Sequence, residues 1–316
     1  MGTAGILAAA AVALAFASTH ARADSKAWSA AKAGLPADAK LVVGLDVAAI
    51  QKTELFATYY PKLLEKADAA KLIDTLKASC KIDPLVAVQA VVVATASDRD
   101  DGAVYLALAG VDRAKFSSCL QQAAQSKTDQ AAAEKAAKVS VKQDGNITQV
   151  TDGTGTAFFG WVGKDVVVVS LHAQDRASLA RWMGGKGALA RSPIGKAIAK
   201  TSTSAALWGA GEETKEIEAG ITVKGGYGAV KLASGNLDAD VHAMMQTVAQ
   251  ATAMASKANK QLDDARQGGQ LPPMIAGLLK AVTIVAVNDE VVLKANVVEK
   301  DLVNVLGLAL GGLGGP

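Results

Sequence analysis

Residues Thr156 to Met183 read TAFFGWVGKDVVVVSLHAQDRASLARWM, and their grammar decides the fold. Thr156 to Val162 is aromatic and β-branched, a composition that suits a pleated strand. Gly163, Lys164 and Asp165 make a tight turn. Val166 to Leu171 is a second strand, with four valines in a row. Asp175 then caps a helix whose apolar Leu179 and Trp182, three apart, share one face. The unit is strand, turn, strand, acidic cap, helix.

The same unit returns at Thr283 to Leu310, as TIVAV, the turn Asn288-Asp289, VVLKANVV, then Asp301 and an apolar helix. It occurs earlier at Val86 to Leu120, as VAVQAVVVATA, an Asp-rich turn ending in Gly102, AVYLALAG, then Asp112 and a helix. Strands this close in sequence pair antiparallel, because a parallel pair needs a crossover of a dozen residues or more. The expected class is therefore α+β: two related halves of antiparallel β-hairpins with helices on one face, each half reading β-α-ββα-ββα. Asp144-Gly145-Asn146 marks an additional hairpin in the first half. Leu41 to Val47 is the first strand, and Ala205 to Ala210 stands in its place in the second half. Gly211 to Ala219 reads as a short charged helix. A long helix follows from about Met244 to Arg266, with Met245, Val248, Ala255 and Leu262 on one face.

Residues 1–23 have the form of a signal peptide. Ile6 to Ala17 is an uninterrupted apolar run, and Ala21-Arg22-Ala23 puts small residues before a cleavage site between Ala23 and Asp24. The remaining chain divides into a lead at 24–34, expected as a mobile or docking turn, a first α+β domain at 35–200 and a second at 201–316. The expected location is periplasmic or extracellular. An uncleaved N-terminal anchor is the rival, but a dozen apolar residues are few for a bilayer, and no later stretch is long enough.

The chain has 316 residues, 50% of them apolar and 20% charged, with a net charge of +3. Lys and Arg are interspersed with Asp and Glu, so nothing offers a basic stripe to a phosphate backbone and nucleic acid is excluded as a partner. The two cysteines, Cys80 and Cys119, are expected as a disulfide in an oxidising compartment, with two separate buried thiols as the alternative.

Chemistry-bearing constellations are sparse. His172 and His242 lie in or beside strands without a second ligand at metal spacing, and solvent-facing strand residues are the plain reading. Asp98, Asp100 and Asp101 crowd one turn and form the weak candidate for a cation. Gly102 occupies the place of the third acidic ligand, and no Glu closes the loop. Gly184-Gly185-Lys186-Gly187 follows a helix and caps it, whereas a phosphate loop follows a strand. Trp161, Trp182 and Trp208 are read as core.

The opening Leu35-Pro36-Ala37-Asp38-Ala39, leading into a strand, together with the repeated hairpin-helix units, resembles a loose group of uncharacterised exported bacterial proteins. The resemblance implies export and an α+β repeat fold. It supplies no catalytic motif. The expected function is that of an exported, soluble, non-catalytic binding or structural component of a bacterial envelope or extracellular space. No cofactor is expected, and the partner is an envelope protein or a small apolar ligand. The alternatives are an exported hydrolase using carboxylates such as Asp46 and Asp165, and a membrane-tethered protein on an uncleaved N-terminus.

Overall fold

A computed structural model describes residues 24–64, 73–74, 76–78, 80–96, 101–125, 140–151, 155–172, 175–267 and 272–311. The signal-peptide expectation, with cleavage after Ala23, lies outside them.

The first half contains α1 (Lys26–Gly34), β1 (Leu41–Asp46), α2 (Val47–Ile50), α3 (Glu54–Leu64), α4 (Pro84–Ala87), β2 (Val88–Thr95) and β3 (Asp101–Leu108). It continues with α5 (Arg113–Gln125), β4 (Ser140–Asp144), β5 (Ile147–Thr151), β6 (Thr156–Val162), β7 (Val166–His172), α6 (Arg176–Met183) and α7 (Pro193–Ala199). The second half contains β8 (Leu207–Gly211), β9 (Lys215–Glu218), β10 (Ile221–Ala233), β11 (Asn236–Met245) and α8 (Val248–Gln267). It ends with α9 (Pro273–Lys280), β12 (Val282–Val287), β13 (Glu290–Val298) and α10 (Glu299–Gly311).

Every strand pair is antiparallel, and all the strands join one sheet in the order β12-β13-β11-β10-β8-β1-β2-β3-β7-β6-β5-β4, with β9 paired to β10 off this path. The order is a palindrome about β1 and β8. The sequence β1-β2-β3-β7-β6 on one side is answered by β8-β10-β11-β13-β12 on the other, and β4–β5 is the additional hairpin of the first half. The α+β class and the internal duplication are therefore as expected.

Hydrogen bonds fix the equivalence at residue level. The Asp46 N–H donates to the Ala206 carbonyl at 2.8 Å, and the Glu212 N–H donates to the Lys40 carbonyl at 2.7 Å. Asp46 thus corresponds to Glu212 and Lys40 to Ala206. An approximate two-fold axis, normal to the sheet, passes beside the Val43–Gly209 pair.

The main helical layer (α1, α6 and α7) lies on one face of the sheet. That face carries Val42, Val92, Tyr105 and Val168, each fully buried. Gly44 leaves room for the Trp208 indole, which meets Trp28 edge-on at 4.7 Å between ring centroids. Trp161 and Trp182 are buried as well, so the tryptophans belong to the core. Phe116 of α5 packs edge-on against Phe159 and Trp161 at 5.2 and 5.5 Å, from the other side of β6. Cys80 and Cys119 form a disulfide.

Three local expectations change. The lead at 24–34 is a helix, α1. Ser25 caps it by accepting from the Trp28 N–H, and Ala27, Trp28, Ala30 and Ala31 are buried. Small alanines let this helix sit close on the sheet, and the Trp28–Trp208 contact anchors it. The charged segment after Gly211 forms the strand β9 instead of a helix, because the long β10 offers its N-terminal half as a pairing edge and Gly220, at φ 78°, makes the turn. Met245 ends β11 fully buried, and α8 buries Ala251 and Ala255 while Val248 is exposed. The buried stripe of this helix is thus made by its smallest side chains.

Candidate functional site

Two concavities lie on the face that carries α1, and the duplication explains both. In the first half, the row Gly44–Val92–Tyr105–Val168–Gly160 crosses the sheet. Its counterpart in the second half is Ala210–Tyr227–His242–Val292–Val285. The next row is Asp46–Ala90–Ala107–Val166 in the first half, answered in the second by Glu212 and then Gly225–Met244–Glu290.

The larger concavity, about 790 Å³, is at the junction of the halves. Ala90, Ala107 and Trp208 give it apolar walls, and Lys26, Asp46, Asp112, Asp165 and Thr203 stand around them. The space exists because Ala107 stands where the second half has the long side chain of Met244. The two carboxylates singled out for a hydrolase, Asp46 and Asp165, do line this one cavity. Both have structural work. Asp46 accepts from the Ala49 N–H at 2.8 Å as the N-cap of α2, and Asp165 pairs with the Lys26 ammonium. Asp112 accepts from the Lys115 N–H at 2.8 Å at the start of α5.

The second concavity, about 700 Å³, opens over β10, β11 and β13. Its counterpart in the first half is filled by α6. There the Tyr105 hydroxyl donates to the Trp182 carbonyl, the Trp182 Nε1–H donates to Asp101 at 2.7 Å, and the Ser170 and Ser178 hydroxyls meet at 2.9 Å. The helix that corresponds to α6 is α10, and it leaves. It packs on α3, where the Tyr59 hydroxyl donates to the Val303 carbonyl at 2.7 Å and Glu299 accepts from the Leu55 N–H at 2.8 Å.

With the helix gone, a polar network covers the floor. His242 stands at the position of Tyr105 and stacks on Tyr227, with ring centroids 4.4 Å apart. Glu290, only 14% exposed, collects three partners: Lys200 Nζ at 2.8 Å, the Tyr227 hydroxyl at 2.7 Å and His242 Nδ1 at 2.8 Å. His242 Nε2 lies 3.2 Å from Asp240. Burial pushes the Glu290 carboxyl upward, but the hydrogen bonds from Lys200, Tyr227 and His242, helped by the Lys200 charge, hold it below its ordinary value. Burial, together with the bond to Glu290, pushes the Tyr227 hydroxyl up.

His242 is therefore a half-buried network residue, which its strand position alone did not suggest. Its partners come from 42 residues upstream (Lys200) and 48 downstream (Glu290), so local spacing carried no signal. His172 ends β7, in register with Asp101.

Most of the acidic turn proposed for a cation lies outside the described residues. Asp98 and Asp100 lie outside them, and the Asp101 carboxylate is taken by Arg181 and by Trp182 Nε1. No group of three or more His, Cys, Asp or Glu among the described residues is placed to hold a metal ion. No helix among them is long and apolar enough to cross a membrane.

No protein-family model matches the chain, and no curated protein matches it. Among solved structures it is similar to crystal forms I, III and IV of TP0453. The identities are 8%, 10% and 10%, the TM-scores 0.41, 0.46 and 0.47, and the shares covered 88%, 88% and 89% of this chain and 95%, 96% and 99% of the other. A likeness at this level is one of overall shape, and it carries neither a ligand nor an activity across.

Proposed function

We propose that this chain is an exported, non-catalytic binding protein that holds a small molecule with an apolar body in the junction cavity. The observation that carries the reading is the cavity itself. It lies between duplicated halves, with apolar walls and a few polar side chains around them, the usual form of a small-molecule site. The carboxylates around it support binding over catalysis, because Asp46 is committed to a helix cap and Asp165 to Lys26. Export rests on the form of residues 1–23 and on the disulfide, which suits an oxidising compartment.

Filling the cavity tests the reading. Ala107→Met copies the residue found at the equivalent position, Met244. The probe is the amphiphilic dye 1-anilinonaphthalene-8-sulfonate, followed by its fluorescence and by quenching of tryptophan emission. The expected result is binding to the parent chain and at least a tenfold loss in the variant, with an unchanged melting temperature. Dye binding that ignores Ala107→Met refutes the cavity as the site. N-terminal sequencing of the chain recovered from its producing cells should begin at Asp24, and a retained residue 1–23 segment would refute processing.

A further inference from the structure

β12 ends the sheet, and its composition is that of a strand that recruits others. It reads VTIVAV, without a charge, and Val285 and Val287 are each 48% exposed. The other edge strands are blunted by their own residues. β4 reads SVKQD and β9 reads KEIE, and nearly all of these side chains are exposed. Charge is a common protection of an open edge. β12 carries none, so its edge depends on a neighbour.

The pairing with β13 fixes which backbone groups face outward. The Asn296 N–H donates to the Ala281 carbonyl at 3.3 Å, and Thr283 and Val285 continue that hydrogen-bonded set opposite Lys294 and Val292. Bonded and non-bonded positions alternate in an antiparallel pair, so the carbonyls of Val282, Ile284 and Ala286 point away from the sheet. Two of the three are taken by side chains. Asn259 Nδ2 donates to the Ile284 carbonyl at 2.8 Å, and Arg266 Nη2 donates to the Val282 carbonyl at 2.8 Å. Both donors come from α8, which packs across β11, β13 and β12. Arg266 is fixed by further bonds, to the Leu279 carbonyl at 2.8 Å and to Asp263 at 3.0 Å.

These two residues stand in the stripe of α8 that faces the sheet. Ala251 and Ala255 are buried, and Ala258, Asn259, Leu262 and Arg266 follow at helical spacing, each half-buried. Apolar side chains at 259 and 266 would bury more carbon there. The amide and the guanidinium instead present N–H donors to β12, as the backbone of a neighbouring strand would. We infer that Asn259 and Arg266 lock the β12 edge. They hold its outward carbonyls in place of an added strand, and so keep the sheet from taking up an extended segment of another chain. The inference is independent of the junction cavity, which neither residue lines.

The test compares the intact chain with the double variant Asn259→Leu/Arg266→Met, which removes the donors, keeps comparable bulk and does not lower helix propensity. Circular dichroism first establishes that the variant is folded. Assembly is then followed over a concentration series by light scattering and by the infrared signal of intermolecular strands. The expected result is that strand-rich assemblies appear at a concentration at least about tenfold lower than for the parent. Adding Val285→Lys, which puts a charge on the edge strand, should abolish the effect. The control Lys260→Met/Asp264→Leu makes a similar change of character on the exposed side of α8 and should assemble no more than the parent. A folded double variant that stays as soluble as the parent overturns the inference. So does assembly that ignores Val285→Lys, or that the control reproduces. Should the double variant fail to fold, Arg266→Met alone is judged by the same outcomes.

Discussion

Removing the Cys80–Cys119 bridge should cost stability through the unfolded chain more than through the folded one. The bridge joins residues 39 apart in sequence. The loop between them contains β2 and β3, which backbone pairing to β1 and β7 already holds in the folded sheet. The bridge therefore adds little order to the native state. Its effect is to deny the unfolded chain the conformations in which the loop is open. In the chain-entropy description, a loop of this size corresponds to about 4 kcal/mol at 25 °C. Both half-cystines are buried, at 6% and 4% exposure, so Ala is the substitution that avoids burying a new polar group. The double variant Cys80→Ala/Cys119→Ala should keep its far-ultraviolet circular dichroism. Its urea midpoint should fall by the equivalent of about 2–4 kcal/mol. Its m-value should rise, because the unbridged chain exposes more surface when it unfolds. A midpoint change below the equivalent of about 1 kcal/mol, with an unchanged m-value, would refute the reasoning and place the bridge among contacts that the sheet makes redundant.

Two further outcomes follow from particular contacts. Glu290 has a folded-state pKa below its ordinary value, so its contribution is fully present above that ordinary value and is lost as the pH falls through the depressed one. Glu290→Gln should lower stability by about 2 kcal/mol at neutral pH, and the gap should close in acid; melting curves over a pH series check this, and a gap that persists at low pH counts against it. A Cβ at Gly44 would lie 2.1 Å from Trp208 Cε2, so Gly44→Ala should cost about 1–3 kcal/mol and change the near-ultraviolet circular dichroism of the Trp28–Trp208 pair. An unchanged spectrum with unchanged stability would show that the indole moves aside freely.

The hairpins were legible in the sequence because their signals are local. Four valines after a Gly-containing turn, or Asn288-Asp289 between β12 and β13, name a strand pair without help from the rest of the chain. The duplication was legible for the same reason. What local signals could not show was which helix leaves its hairpin. The helices after β7 and β13 look alike as sequence, yet α6 covers its hairpin and α10 packs on α3. Glycine at position 160, where the equivalent residue is Val285, lets the Met183 side chain come close, and that pairing spans distant residues. The helix within 24–34 was not legible because its apolar residues are mostly alanine, whose burial depends on how closely the helix approaches the sheet. The His242 network was invisible because Lys200, Tyr227, His242 and Glu290 come from four separate elements. In the sequence, Asp46 and Asp165 do no more than border strands. The fold brings them to one cavity, but with partners that the sequence did not announce.

The palindromic strand order has a consequence for how the chain is made. The inner edge of β1 is completed by β8, and Leu41 pairs with Gly211, more than half the chain away. Synthesis proceeds from the N-terminus, so β1 emerges long before the strand that closes it. Until then, any early first-half sheet would present an open, apolar edge, the kind that recruits foreign strands. A pairing between such distant residues also forms late in folding. The seam between the halves thus joins the most widely separated strands of the sheet, and holding the chain unfolded until β8 has been delivered would protect that edge.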